Sequence, residues 1–104
     1  MVVVAAEGAY TAKPRPALVV QSDLFNPTHQ SVTICPIASD VVDAPLFRVT
    51  VPPSARTGLK ATSQIMIDKI VSVPRSTVGE EIDRCDDEEL ESAEEALRRW
   101  LELE

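Results

Sequence analysis

Until its last fifth, this chain carries its apolar residues in short runs bounded by proline, glycine and polar clusters. The first run, Met1-Val2-Val3-Val4-Ala5-Ala6, is rich in β-branched side chains, which crowd a helix but suit a pleated surface, and it predicts a strand over 1–6. Glu7-Gly8-Ala9-Tyr10-Thr11-Ala12 reads as a loop. A second strand is predicted over 16–22, entered through Lys13-Pro14-Arg15-Pro16, where the two rings hold the backbone extended. Asn26-Pro27-Thr28-His29 has turn chemistry, with His29 an exposed loop residue. The third strand, 31–37, is expected to break at or near Pro36, because an interior proline removes a ladder donor. A loop over 38–45 follows. Leu46-Phe47-Arg48-Val49-Thr50-Val51 then alternates as a strand with one solvated face, ended by Pro52-Pro53-Ser54 and a turn at Thr57-Gly58-Leu59-Lys60.

Residues 63–73 are the longest strand candidate. Strict alternation puts Ile65, Ile67, Lys69 and Val71 on one face and Gln64, Met66, Asp68 and Ile70 on the other, with Pro74 closing the strand. The pattern then changes period. Asp86 is the expected N-cap of a helix, Glu89 its capping-box partner, and Leu90, Ala93, Leu97 and Leu101 recur at helical spacing beside Ala96 and Trp100. Acidic groups crowd the first turns and Arg98-Arg99 lie near the end, the order the helix dipole prefers. Five or six short strands followed by one C-terminal helix, with no crossover helices between strands, predict a mainly β fold: a small, curled antiparallel sheet or SH3-like barrel.

A length of 104 residues predicts a single domain, 1–104, and with only four aromatic residues its core must be built from Val, Ile, Leu and Ala. No apolar run approaches a membrane span, and the opening run lacks the basic start of a signal peptide. Cys35 and Cys85 have no metal-ligand spacing. Cys35 is expected as a buried thiol and Cys85 as a strand-end residue, which suits a reduced, cytoplasmic setting. The net charge of −7 is uneven: residues 1–76 carry seven basic and five acidic side chains, residues 77–104 three basic and twelve acidic. The acidity belongs to the C-terminal end, so the rest of the surface remains open to a polyanion.

Two positions stand out chemically. Arg15 is presented at the mouth of a core strand between two prolines, and its planar fork of donors matches two anionic oxygens at once. The alternative is a cap on a sheet edge or a pair with an acidic residue. Asp68 is a carboxylate in the middle of a β-rich segment, a place seldom chosen for stability, with an ion pair to Lys69 or Arg48 as its structural alternative.

Arg-Pro before an apolar strand ending Gln21-Ser22-Asp23, Ile34-Cys35-Pro36-Ile37-Ala38-Ser39, Gln64-Ile65-Met66-Ile67-Asp68-Lys69-Ile70 and the final Asp86-Asp87-Glu88-Glu89-Leu90 helix occur in this order. Together they resemble the MazF/PemK (Kid) family of toxins from type II toxin–antitoxin systems, over nearly the whole chain. The resemblance implies a CcdB/PemK-like SH3 barrel, a homodimer, neutralisation by a cognate antitoxin, and cleavage of single-stranded RNA without a metal or other cofactor. The implied reaction is attack of a ribose 2′-OH on the adjacent phosphate, leaving a 2′,3′-cyclic phosphate and a 5′-OH. Carried over residue by residue, it implies catalytic roles for Arg15 (phosphate stabiliser or acid), Ser39 and Asp68 (base), and RNA contacts from Lys13, Gln21, Ser22, Gln64 and Lys69. Ala38 stands where many members have a catalytic Thr, Met66 where the Kid branch has an Arg, and the chain opens at Met1-Val2-Val3 instead of the usual basic-Gly-Asp-Val start. The alternative is therefore a relative that binds an antitoxin or RNA without cleaving. The gyrase inhibitors of the same fold act through their C-terminal side chains, which Glu102-Leu103-Glu104 does not match.

Overall fold

Val2–Gly8 (β1) and Thr11–Val19 (β2) form an antiparallel hairpin that closes with Gly8 opposite Thr11. The computed structural model describes the backbone of residues 2–8, 11–21, 28–53, 61–84 and 86–103, and within these the side chains of 16–21, 28–53, 61–79 and 86–103. The remaining strands are Ser31–Ala38 (β3), Arg48–Val51 (β4), Ser63–Met66 (β5), Val71–Pro74 (β6) and Val78–Arg84 (β7), followed by the helix Asp87–Leu101 (α1). All pairings among the described residues are antiparallel. The sheet runs β4-β5-β3-β2-β1-β7, with β6 on β3 beside that path. The predicted class, mainly β with one C-terminal helix, is the observed one, although the curled sheet is not closed into a full barrel among the described residues.

The strands depart from the sequence reading at the prolines. β2 begins at Thr11, within the predicted loop, and carries Pro14 and Pro16 inside it. It pairs with β1 along its length but with β3 only at Ala17, Leu18 and Val19, so its proline-bearing half has a ladder on one side, where alternate N–H groups suffice. β3 likewise runs through Pro36 unbroken. The ring sits where β3 changes neighbour, between the β6 ladder at 31–34 and the β5 ladder at 37–38. A missing donor is least costly there.

The predicted strand over 63–73 is two strands joined by a 3₁₀ turn at Ile67–Lys69. Ile37 faces Ile65 and Ile34 faces Val71, so three steps along β3 correspond to six along its partner. The turn takes up the three extra residues and moves Asp68 out of strand alternation. β7, too acidic to stand out as a strand in the sequence, pairs with β1 at the sheet edge.

Two apolar clusters result. Leu18, Cys35, Ile37, Val49, Val51, Ile65 and Ile67 pack beneath the helix, with Ala93 and Ala96 as its fully buried contacts. Ala17, Val19, Val32, Ile34 and Val73 form the second cluster. The helix begins with the full capping box: the Asp86 carboxylate accepts from Glu89 N–H (2.8 Å), and the Glu89 carboxylate accepts from Asp86 N–H (3.2 Å). Its apolar stripe is shorter than the periodicity suggests. Leu101 and Trp100 are each 46% exposed, and the Trp100 ring leans on Phe47 at 5.6 Å between centroids. No helix among the described residues is long and apolar enough to cross a membrane.

Candidate active site

Ser39, Gln64 and the backbone of Arg15 lie around the end of β3. β2 runs antiparallel to β3, with Ala17 opposite Pro36, so the N-terminal half of β2, where Arg15 lies, points toward Ala38 and Ser39. On the other side of β3, Ala38 faces Gln64 of β5, and Gln64 in turn faces Thr50 of β4. Ser39 is exposed just beyond the strand end. The side chains of Lys13 and Arg15, and the whole of Ser22 and Cys85, lie outside the described residues.

Arg48, Thr50, Gln64 and Met66 share the face of the β4–β5 pair opposite the helix-covered core, because Thr50 pairs with Gln64 and Arg48 with Met66. A cleft of about 450 Å³ opens on this face, walled by Val41, Val42 and Pro45 from the loop between β3 and β4 and floored by Arg48, Thr50 and Gln64. At its inner edge the Arg48 guanidinium donates from Nε to Asp68 Oδ1 (2.7 Å) and from Nη2 to Asp68 Oδ2 (3.0 Å). Arg48, one of the two partners weighed for Asp68, engages both carboxylate oxygens. A planar fork on a carboxylate fixes both side chains in orientation as well as in distance. The charge of Asp68 is felt in the core: burial first, and the carboxylate second, push the Cys35 thiol up to about 12. Cys35 is thus the inert buried thiol the sequence predicts.

Three of the predicted RNA contacts have described side chains. Gln64 is only 3% exposed, and both ends of its carboxamide are used by one loop residue: Oε1 accepts from Val42 N–H and Nε2 donates to Val42 C=O, each at 2.9 Å. Held at both ends on Val42 and screened from solvent, the carboxamide is turned to the loop, which does not fit the direct base contact expected of it. Gln21 turns toward β3, with Nε2 donating to Ser31 C=O (3.3 Å) and Oε1 accepting from Thr33 N–H (3.3 Å). Lys69 is half-buried in the 3₁₀ turn beside Asp68. His29 is exposed, as read from the sequence, and its carbonyl accepts from Arg75 Nε.

Sequence reasoning missed the standing of Arg48 as a wall of the cleft, naming it only as a possible partner of Asp68. The available signal was that Arg48 shares the solvated face of an alternating strand with Thr50. It also missed the 41–45 loop, which carries no motif and becomes part of a site only through its contact with Gln64.

Known proteins share this sequence pattern and fold. Residues 1–101 match the family described as PemK-like, MazF-like toxin of type II toxin–antitoxin system, and the chain belongs to that family. It is 43% identical over 97 residues to the probable endoribonuclease MazF of Mycolicibacterium smegmatis, covering 93% of this chain and 88% of that protein. Its fold is that of the Mycobacterium tuberculosis toxin MazF-mt6 (TM-score 0.86, 23% identity, 100% and 99% of the two chains covered). It is likewise similar to a mycobacterial endoribonuclease solved with its cognate antitoxin (TM-score 0.79, 17% identity, 99% and 93% covered).

Proposed function

We propose that this toxin is an endoribonuclease that cleaves single-stranded RNA by metal-independent attack of a ribose 2′-OH on the neighbouring phosphate, giving a 2′,3′-cyclic phosphate and a free 5′-OH. The observation that carries the activity is the relationship to the M. smegmatis enzyme over nearly the whole chain. The fold supports the site, because Arg15, in the middle of β2, and Ser39, just past the end of β3, belong to neighbouring antiparallel strands.

Such a transfer needs positive charge where the phosphorane gathers negative charge, and a hydrogen-bond donor at its oxygens. In this reading Arg15 supplies the first cation and the Ser39 hydroxyl the donor. Arg48 supplies a second cation from the cleft face, which grips the RNA backbone equally in the bound substrate and in the transition state. It lies directly across the ladder from Met66, so a guanidinium remains in that region although it comes from another strand. With both oxygens already on Arg48, Asp68 is better placed to fix that guanidinium than to take a proton; the 2′-OH proton passes to solvent water, and water returns one to the leaving 5′ oxygen. Lys13 and Lys69 add basic character around the backbone of the bound strand.

The same reading makes the chain a cytoplasmic homodimer silenced by a cognate antitoxin. Support for the antitoxin comes from the structurally similar mycobacterial endoribonuclease solved with such a partner.

The test is cleavage of a mixed-sequence single-stranded RNA in EDTA with the 3′ ends analysed chemically. Cyclic phosphate ends are expected, and Arg15→Ala should slow cleavage by about 10²–10³-fold while the protein stays folded. A folded wild-type protein that binds RNA but leaves it intact, with or without Mg²⁺, would establish the binding-only alternative instead.

A further inference from the structure

We propose that Gln64 is a positioning residue of this site: by gripping Val42 it presets the 41–45 loop as a rigid wall, and that wall selects which bases are admitted next to the cleaved phosphate. The inference rests on the ribonuclease reading.

The geometry is specific. Gln64 stands in the middle strand of three, opposite Ala38 on one side and Thr50 on the other, and its side chain is almost fully buried. A buried carboxamide must find partners or destabilise the fold. This one finds donor and acceptor on the backbone of a single residue, forming a reciprocal amide pair like one rung of a sheet. Val42 is also the node of the loop's own bonding: its carbonyl accepts from Ala44 N–H (3.1 Å), and the Ala44 carbonyl accepts from Phe47 N–H (3.2 Å) and Arg48 N–H (2.9 Å). One side chain thereby ties the loop to the strand that borders Ala38.

What the tie presents is unusual for a loop. Val41 and Val42 remain 53% and 45% exposed, and both line the cleft beside Pro45. Stiff, β-branched side chains held at the mouth of a cleft provide a flat apolar surface for an unstacked base. The Asp43 carboxylate and the Thr50 hydroxyl, which also line the cleft, can read the base's polar edge. A wall ordered beforehand loses little freedom on binding and rejects bases that do not fit, whereas a loose one adapts to any of them. Gln64 therefore acts on sequence choice through the loop, without touching RNA.

The test uses two variants that cut the tie from opposite ends. Gln64→Met keeps length and burial but removes both hydrogen bonds, and Val42→Pro removes the loop's N–H while leaving Gln64 in place. Each is tried on a randomised single-stranded RNA pool, with amide exchange followed by NMR in the same samples. In Gln64→Met the Val42 amide should exchange about tenfold faster. In both variants KM for the preferred sequence should rise about tenfold, with a far smaller change in kcat and a flattened preference between sequences. The double variant should be no worse than Gln64→Met alone, because Val42→Pro removes a bond that Gln64→Met already lacks. Loss of Val42 protection with an unchanged cleavage profile would overturn the inference, as would a wild-type profile in Val42→Pro should Gln64→Met fail to fold. Failure of the wild-type protein to cleave any member of the pool would instead remove the ribonuclease reading, and this inference with it.

Discussion

Arg48 and Asp68 meet with side chains only 12% and 18% exposed, so neither charge is well served by water. Removing one partner of such a pair leaves the other short of both solvent and counter-charge, and that cost usually exceeds what the intact pair contributes. Asp68→Asn should therefore destabilise the protein by about 1–3 kcal/mol. Its kinetic effect separates two roles. A lost general base lowers kcat by about 10²–10⁴-fold with little change in KM. A lost orienter of Arg48 weakens the grip on RNA, raises KM and leaves most of kcat in place. The bidentate geometry predicts the second pattern. Steady-state cleavage by folded Asp68→Asn protein checks it, and a collapse of kcat alone would restore Asp68 as the base.

At the level of elements, the helix shows how little apolar surface is needed when the fit is close. Its fully buried contacts are Ala93 and Ala96, whose small side chains let the helix backbone approach the sheet, while Leu90 and Leu97 flank them half-buried. With so narrow a stripe, the ends matter. Asp86→Ala removes the carboxylate that accepts from Glu89 N–H and should cost about 1 kcal/mol, read as a lowered midpoint in urea at unchanged slope. An unchanged midpoint would mean that the cap is replaced by water at no cost. This cap was fully legible in the sequence, because Asp86 and Glu89 specify it locally. The break at Ile67–Lys69 was not, since it arises from a register change between β5 and β6 on β3 that no local pattern records. The continuity of β3 through Pro36 has the same origin, as a proline is tolerated only where two neighbouring ladders happen to part. Of the cleft, the Arg48 partner of Asp68 was legible as one of two alternatives, while the grip of Gln64 on Val42 joins residues twenty-two apart that share no motif.

Across the whole molecule, charge is divided between a slightly basic body and an acidic C-terminal end, yet the two lie within one particle of 34 × 34 × 25 Å. Asp87, Glu88, Glu91 and Glu95 are exposed on the helix, and a bound RNA backbone anywhere on the body feels them. At 20 Å in water two unit charges interact by only about 0.2 kcal/mol, but several carboxylates facing several phosphates add up. Salt decides whether that sum matters. The screening length is about 30 Å at 0.01 M, comparable with the particle, and about 8 Å at 0.15 M, well short of it. Replacing Glu88, Glu91 and Glu95 by Gln should therefore tighten binding of an uncleavable 2′-O-methyl RNA several-fold at low salt and leave it unchanged at physiological salt. Fluorescence anisotropy across that range measures both limits. Tightening that persists at 0.15 M would place the helix on the RNA path itself, and no change at 0.01 M would mean that the acidic end has no influence on the nucleic acid.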